Sequence, residues 1–192
     1  MRFPVDRPFR ISTGFDEPRP LSVPPEKRWH PHGAWDIAVP VGTAILAPER
    51  GMLFYFAAFR ADISRGMAEL DLLALPFDIA GHNYFYDVYG ALIILIGTSG
   101  LTHVLAHSWL NQVWKKLEKW SYKESSKIER FPLSCFASEL IPIRAGDIIG
   151  KSGNAGYSTG PHIHYEIHSG RKWQQWDRRV RPEEIYPMIQ GA

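Results

Sequence analysis

Apolar residues in this chain fall in short runs, many rich in β-branched or aromatic side chains, and turn-forming residues separate them. That pattern predicts strands. Ile37 to Ala47 (IAVPVGTAILA) predicts a short strand, a Pro-Val-Gly turn and a second strand. Gly51 to Phe59 continues as a strand with a bulky apolar surface. Leu92 to Ile96 is wholly apolar and bounded by Gly90 and Gly97, which predicts a central strand buried on both faces. Gly97-Thr98-Ser99-Gly100 predicts a hairpin loop, from which Leu101 to His107 returns beside that strand. Ile148 to Gly150 and His162 to His168 predict two further strands, joined by SGNAGYSTGP.

Two stretches break this rhythm. Arg60 to Ala80 contains MAELDLLAL and a stop at Pro76, which predicts a short helix. From Trp109 to about Lys127, Leu110, Val113, Trp114, Leu117 and Trp120 recur at helical spacing behind Ser108, a suitable N-cap. This predicts a second helix with its apolar stripe packed on the scaffold. Segments 60–82 and 109–140 therefore read as insertions into a mainly β scaffold. There is no internal repeat and no low-complexity tract.

Composition narrows the class. A chain of 192 residues suits a single domain, and 45% hydrophobic with 22% charged residues is ordinary globular usage, not disorder. Twenty-two Lys and Arg against 20 Asp and Glu give a net charge of +2, too small to argue for nucleic acid or an anionic membrane as partner. Cys135 is the only cysteine, so neither an intrachain disulfide nor a thiolate zinc cluster can form. Any metal must rest on histidines and carboxylates. The longest apolar run, Met52 to Phe59, is far short of a membrane span. The first twenty residues lack the apolar middle of a signal peptide, which leaves two readings open: no export by that route, or a leader outside this sequence.

Four histidines sit in loaded contexts. His32 and Asp36 lie four apart in HPHGAWDIAVP, where Pro31 and Gly33 favour a loop entering a strand over a helix. His162 and His164 form an H-x-H on a predicted strand, so both rings leave one face, with backbone origins roughly 6.6 Å apart. Glu166 shares that face. His107 ends the strand from Leu101, and alternation puts His103 and His107 on one side, so both imidazoles can point toward the same region, although a partly buried, hydrogen-bonded role suits His103 better than support of the site or contact with substrate. His30, His82 and His168 read as loop or surface histidines. Trp35 reads as a core residue at least as well as a substrate platform, and the cation-rich segment 171–181 reads as a solvated face in preference to an attractor for an anionic surface.

Longer motifs make the pattern specific. HGAWDIAVPVGTAILAPERG resembles the H-x-G-x-D-x-A-x-P-x-G-T opening of the lysostaphin-type (LytM-like) zinc endopeptidases. GDIIGKSGNAGYSTGPHIHYEI is similar, nearly residue for residue, to their closing motif. YGALIILIGTSGLTHVLAHS resembles the strand, turn and strand between them, ISTGF the leading segment, and RPEEIYP the closing turn. The resemblance spans about residues 10–187 outside the two insertions, so residues 1–192 read as one peptidase domain. Ala34, Ala91 and Leu105 depart from the family's usual Gly, Asn and Tyr, and none is an expected ligand. The family's additional tyrosine has no evident counterpart.

The resemblance implies an antiparallel sheet scaffold with a substrate groove, of the duplicated hybrid motif kind. It implies one Zn2+ held by His32, Asp36 and His164, with His107 and His162 as catalytic histidines, and Glu166 in either a supporting or a structural role. Three ligands leave the open position of a catalytic site. The implied reaction is hydrolysis, by a metal-activated water, of peptide bonds in bacterial peptidoglycan stem peptides or cross-bridges, at the cell wall. The alternative on this scaffold is a non-catalytic wall-binding module, a hydrolase activator, or a phage or injection-machine component. Such relatives typically lack some ligands, whereas all five polar positions are filled here.

Overall fold

A computed structural model describes residues 1–18, 31–60, 91–108, 120–124, 133–138, 140–154, 158–170 and 178–189. The elements are β1 (Arg10–Thr13), β2 (Trp35–Ala38), β3 (Ala44–Leu46), β4 (Gly51–Arg60), β5 (Ala91–Gly97), β6 (Leu101–Ala106), β7 (Trp120–Glu124), β8 (Leu133–Ser138), β9 (Ile141–Ile143), β10 (Ile148–Lys151) and β11 (His162–Ser169). A short helix, α1 (Pro182–Ile185), and a 3-10 turn at Pro187–Ile189 follow. None of the described helices is long and apolar enough to cross a membrane.

Among the described residues the strands form a nine-stranded sheet in the order β1-β2-β11-β6-β5-β4-β8-β7, with β9 also on β4. Its pairs are antiparallel throughout. A smaller antiparallel pair, β3 with β10, makes a second sheet. The mainly β, antiparallel architecture read from the sequence is the one observed.

Register explains which face becomes core. Tyr55, Ile93, Leu105, Tyr165 and Trp35 are successive cross-strand partners, and Leu53, Leu95, His103 and Ile167 form the neighbouring row. Because strand side chains alternate, these rows share one face. They pack with Ile45 and Ile149 of the small sheet, with Ala47 just after β3, and with Val5 and Tyr186. Each Leu or Ile buried there contributes about 1.5–3 kcal/mol relative to exposure. The central strand was expected to be buried on both sides, and Leu92 through Leu95 are all 0% exposed.

The polar members of this layer are partnered. Buried His103 lies between Tyr165 Oη at 2.8 Å and Glu49 Oε1 at 2.9 Å, the partnered role favoured for it. Ser99 of the β5–β6 hairpin donates to the same carboxylate through Oγ and backbone N–H. Gly100 closes that hairpin at φ +88°, where a side chain would be strained. Trp35 belongs to the core and donates from Nε1 to Glu183 of α1 at 2.8 Å.

One expectation is corrected. Trp120–Glu124, assigned to the helix from Trp109 to about Lys127, is a strand paired with β8. WSYKE alternates aromatic with polar residues, so its pattern suits period two as well as a helix, and β8 supplies the main-chain partner. Residues 109–119, with the rest of the apolar stripe, lie outside the described residues, as does the first predicted helix. Strand β8 pairs with β4, so part of segment 109–140 extends the main sheet.

Candidate metal centre

The opposite face of the sheet carries the clustered histidines. On β11, Ile163, Tyr165 and Ile167 enter the core, which leaves His162, His164, Glu166 and His168 on the other side. Asp36 of β2 is the direct cross-strand partner of His164. His32 precedes β2 and is tied to the N-terminal segment: Asp16 N donates to His32 O at 2.7 Å, and His32 N donates to Glu17 O at 2.9 Å. His107 arrives differently. Continued alternation along β6 would place it beside Ile163, on the core face. At His107 the chain takes φ +59°, and the ring instead lies 4.5 Å from that of His162 and 5.8 Å from that of His164, centre to centre. A positive φ at a residue other than glycine is uncommon and marks a conformation the surroundings enforce.

All five expected site residues therefore meet. Asp36 Oδ1 is 3.1 Å from His32 Nε2 and 2.9 Å from His164 Nδ1, and those two nitrogens are 3.2 Å apart. His162 Nε2 lies 3.7 Å from the same oxygen. His32, His107 and His164 are buried, while Asp36 and His162 are partly open to solvent.

Hydrogen bonds behind the rings fix their tautomers, since a carbonyl or carboxylate can only accept. His32 Nδ1–H donates to Gly14 O at 3.1 Å, leaving Nε2 as a lone pair. His164 Nε2–H donates to Glu166 Oε1 at 3.0 Å, leaving Nδ1 as a lone pair. His162 Nδ1–H donates to Gly160 O at 2.8 Å, again leaving Nε2 bare. Two nitrogen lone pairs thus converge on a carboxylate oxygen, an arrangement that repels unless a cation lies among them. Two imidazoles and one carboxylate, each braced from behind, suit a divalent metal ion.

The acidic groups of the site favour positive charge between them, whether a proton on an imidazole or a metal ion. Burial alone would raise the Asp36 carboxyl, but His164 and His32 against it hold it well below the usual carboxylate range. Burial would lower His164, and Asp36 and Glu166 override it and raise the imidazole. Glu166 would likewise be raised by burial, yet Arg179, His164 and His168 keep it well below its ordinary value.

Two residues were misjudged in the sequence. His168, taken as a loop or surface histidine, is 0% exposed and bonds through Nε2 to Glu166 Oε2 at 2.7 Å. The alternation that assigned His162 and His164 extends to it and was the available signal. Arg179, within the segment read as a solvated face, is buried against Glu166 at 3.3 Å. Only the tertiary fold brings it there. Arg181 of the same segment does lie at the surface, paired with Asp16. His30 and His82 lie outside the described residues.

The antiparallel sheet is the fold seen in lysostaphin-type peptidases, and the chain is similar in sequence to proteins named as peptidases. The chain is 30% identical over 166 residues to the peptidoglycan DD-endopeptidase ShyA of Vibrio cholerae serotype O1, covering 86% of this chain and 26% of that protein. It is 28% identical over 167 residues to an uncharacterized metalloprotease of Buchnera aphidicola, covering 87% and 30% respectively. The chain thus spans less than a third of the length of either. The catalytic domain of lysostaphin from Staphylococcus simulans superposes with a TM-score of 0.52 at 19% identity, covering 95% of this chain and 93% of that domain. No family model matches the chain.

Proposed function

We propose that the chain is a zinc-dependent endopeptidase that hydrolyses peptide bonds in the stem peptides or cross-bridges of bacterial peptidoglycan, acting at the cell wall as one peptidase domain. The observation that carries this reading is the convergence of His32 Nε2, His164 Nδ1 and Asp36 Oδ1 beside two further imidazoles. In it, His32, Asp36 and His164 hold a single Zn2+. When bound, the ion would supply a Lewis acid and lower the pKa of a coordinated water toward neutrality.

The protein's own groups do the rest. His162 presents a bare Nε2 toward the cluster and takes the proton of the attacking water. His107, with its ring against His162, takes the other role: it stabilises the oxygen that gains charge as the carbonyl becomes tetrahedral by donating a hydrogen bond. The proton held on His162 then passes to the leaving amine. Small residues at the cleaved bond would let the peptide backbone approach this sheet face closely.

Elemental analysis of five variants tests the assignment. His32→Ala, Asp36→Ala and His164→Ala should purify depleted of zinc. His107→Ala and His162→Ala should keep zinc but lose turnover on purified peptidoglycan, by roughly 10²–10³-fold. Mass spectrometry of the released fragments identifies the bond cut. Zinc lost from His162→Ala and retained by His164→Ala would reverse the roles, and intact peptidoglycan after incubation with the zinc-loaded protein would reject hydrolysis.

A further inference from the structure

Behind His164 lies a buried polar contact whose outermost member belongs to none of the recognised motifs. Glu166 is 1% exposed, and its Oε1 accepts both His164 Nε2–H and Arg179 Nη2–H, at 3.0 and 3.3 Å. Its Oε2 accepts His168 Nε2–H at 2.7 Å. The Arg179 side chain is 7% exposed, and its backbone is pinned to β11 by a bridge to His168 and by Val180 N donating to Ile167 O at 2.8 Å. The guanidinium also passes over Gly33, where an added Cβ would stand 2.0 Å from Nη1 and 2.8 Å from Cζ. Arg179 therefore touches the residue beside His32 and the carboxylate behind His164.

We propose that Arg179 is a positioning residue of the metal centre: it anchors Glu166 as acceptor for His164 Nε2–H, so that His164 Nδ1 stays turned toward Asp36. The inference rests on the zinc reading above. A carboxylate this deeply buried is costly without a fixed counter-charge. A planar guanidinium supplies the charge with a direction, which a lysine ammonium does not. Partners of metal-binding histidines typically influence affinity by 10–100-fold.

Zinc affinity, measured by competition with a chromophoric chelator, tests this in the wild type, Arg179→Lys, Arg179→Met, Glu166→Gln and the double variant Glu166→Gln/Arg179→Met. Thermal melts in the same buffer establish that each is folded. Arg179→Met should bind zinc about 10–100-fold more weakly, with Arg179→Lys between it and the wild type. Because Arg179 acts through Glu166, the double variant should be no more than about twofold weaker than Glu166→Gln alone. A packing role predicts independent losses that multiply. Arg179→Met within twofold of the wild type, or a double variant carrying the product of both losses, overturns the proposal. If Arg179→Met fails to fold, Arg179→Lys and the charge-neutral double variant decide by the same criteria. Absence of stoichiometric zinc from the wild type, or zinc surviving His164→Ala, instead removes the metal reading on which the proposal stands.

Discussion

Single side chains here are defined by what stands behind them. Glu49 is the sharpest case outside the metal centre. Burial would raise its carboxyl, but hydrogen bonds from His103 and Ser99 bring it down to about 2. A carboxyl depressed by folding stabilises the native state above its unfolded pKa, and the contribution fades as pH falls toward the folded value. The unfolded value is near 4.5. Glu49→Gln should therefore be less stable than the wild type at pH 6, and urea midpoints of the two should converge as pH drops from 5 to 3. A gap that stays constant over that range would contradict the assigned ionic role. His107 supplies a second expectation, because its left-handed backbone tolerates asparagine far better than a β-branched residue. His107→Val should unfold more readily than His107→Asn by about 1–2 kcal/mol, read from denaturant titrations.

The elements differ in how openly their sequences declare them. HIHYEIHS announces β11 by alternation alone: apolar Ile163, Tyr165 and Ile167 on one side, His162, His164 and Glu166 on the other. The hairpin from β5 to β6 was equally legible, since a wholly apolar run, a Gly-Thr-Ser-Gly turn and a return strand leave few alternatives. Trp120–Glu124 was not, because aromatic residues at mixed spacing serve either period and the partner strand decides. The local pattern could not carry His107 to the metal-facing side either, since one backbone torsion overrides the alternation of β6. Arg179 was hidden for another reason: a cation beside other cations reads as surface until the fold sets Glu166 next to it. The two faces of β11 also separate experimentally. Ile163 is 0% exposed, and Ile163→Ala should cost about 2–5 kcal/mol in a urea titration while the folded fraction retains its zinc.

At the scale of the whole molecule, β4 is the strand on which the sheet grows. Residues Gly51–Leu53 pair with β9 and Phe56–Arg60 pair with β8 along the same edge. Replacing 112–138 by a short Gly/Ser linker would remove β7 and β8 and bare the outer half of that edge. Unpaired main-chain groups along a strand invite pairing between molecules. Such a variant should elute from size-exclusion chromatography as dimers or larger species, and a strictly monomeric profile would contradict the sheet-extending role. Metal removal provides a second test at this scale, because His32 precedes β2, Asp36 lies on it and His164 lies on β11. A ligand bound only by the native state raises stability by mass action. A chelator should thus lower the melting temperature of the wild type and leave that of His164→Ala nearly unchanged.

The division of β11 into a greasy side and a chemical side has a consequence for quality control. Shifting the strand by one position against β2 or β6 would turn every imidazole inward and every aliphatic group outward at once. A strand misaligned by one position takes His162, His164 and Glu166 from the site together, so correct register and a complete site arrive together. For a chain whose proposed work is to cut the cell wall, this is a built-in safety catch: a molecule whose β11 has slipped by one position is inert.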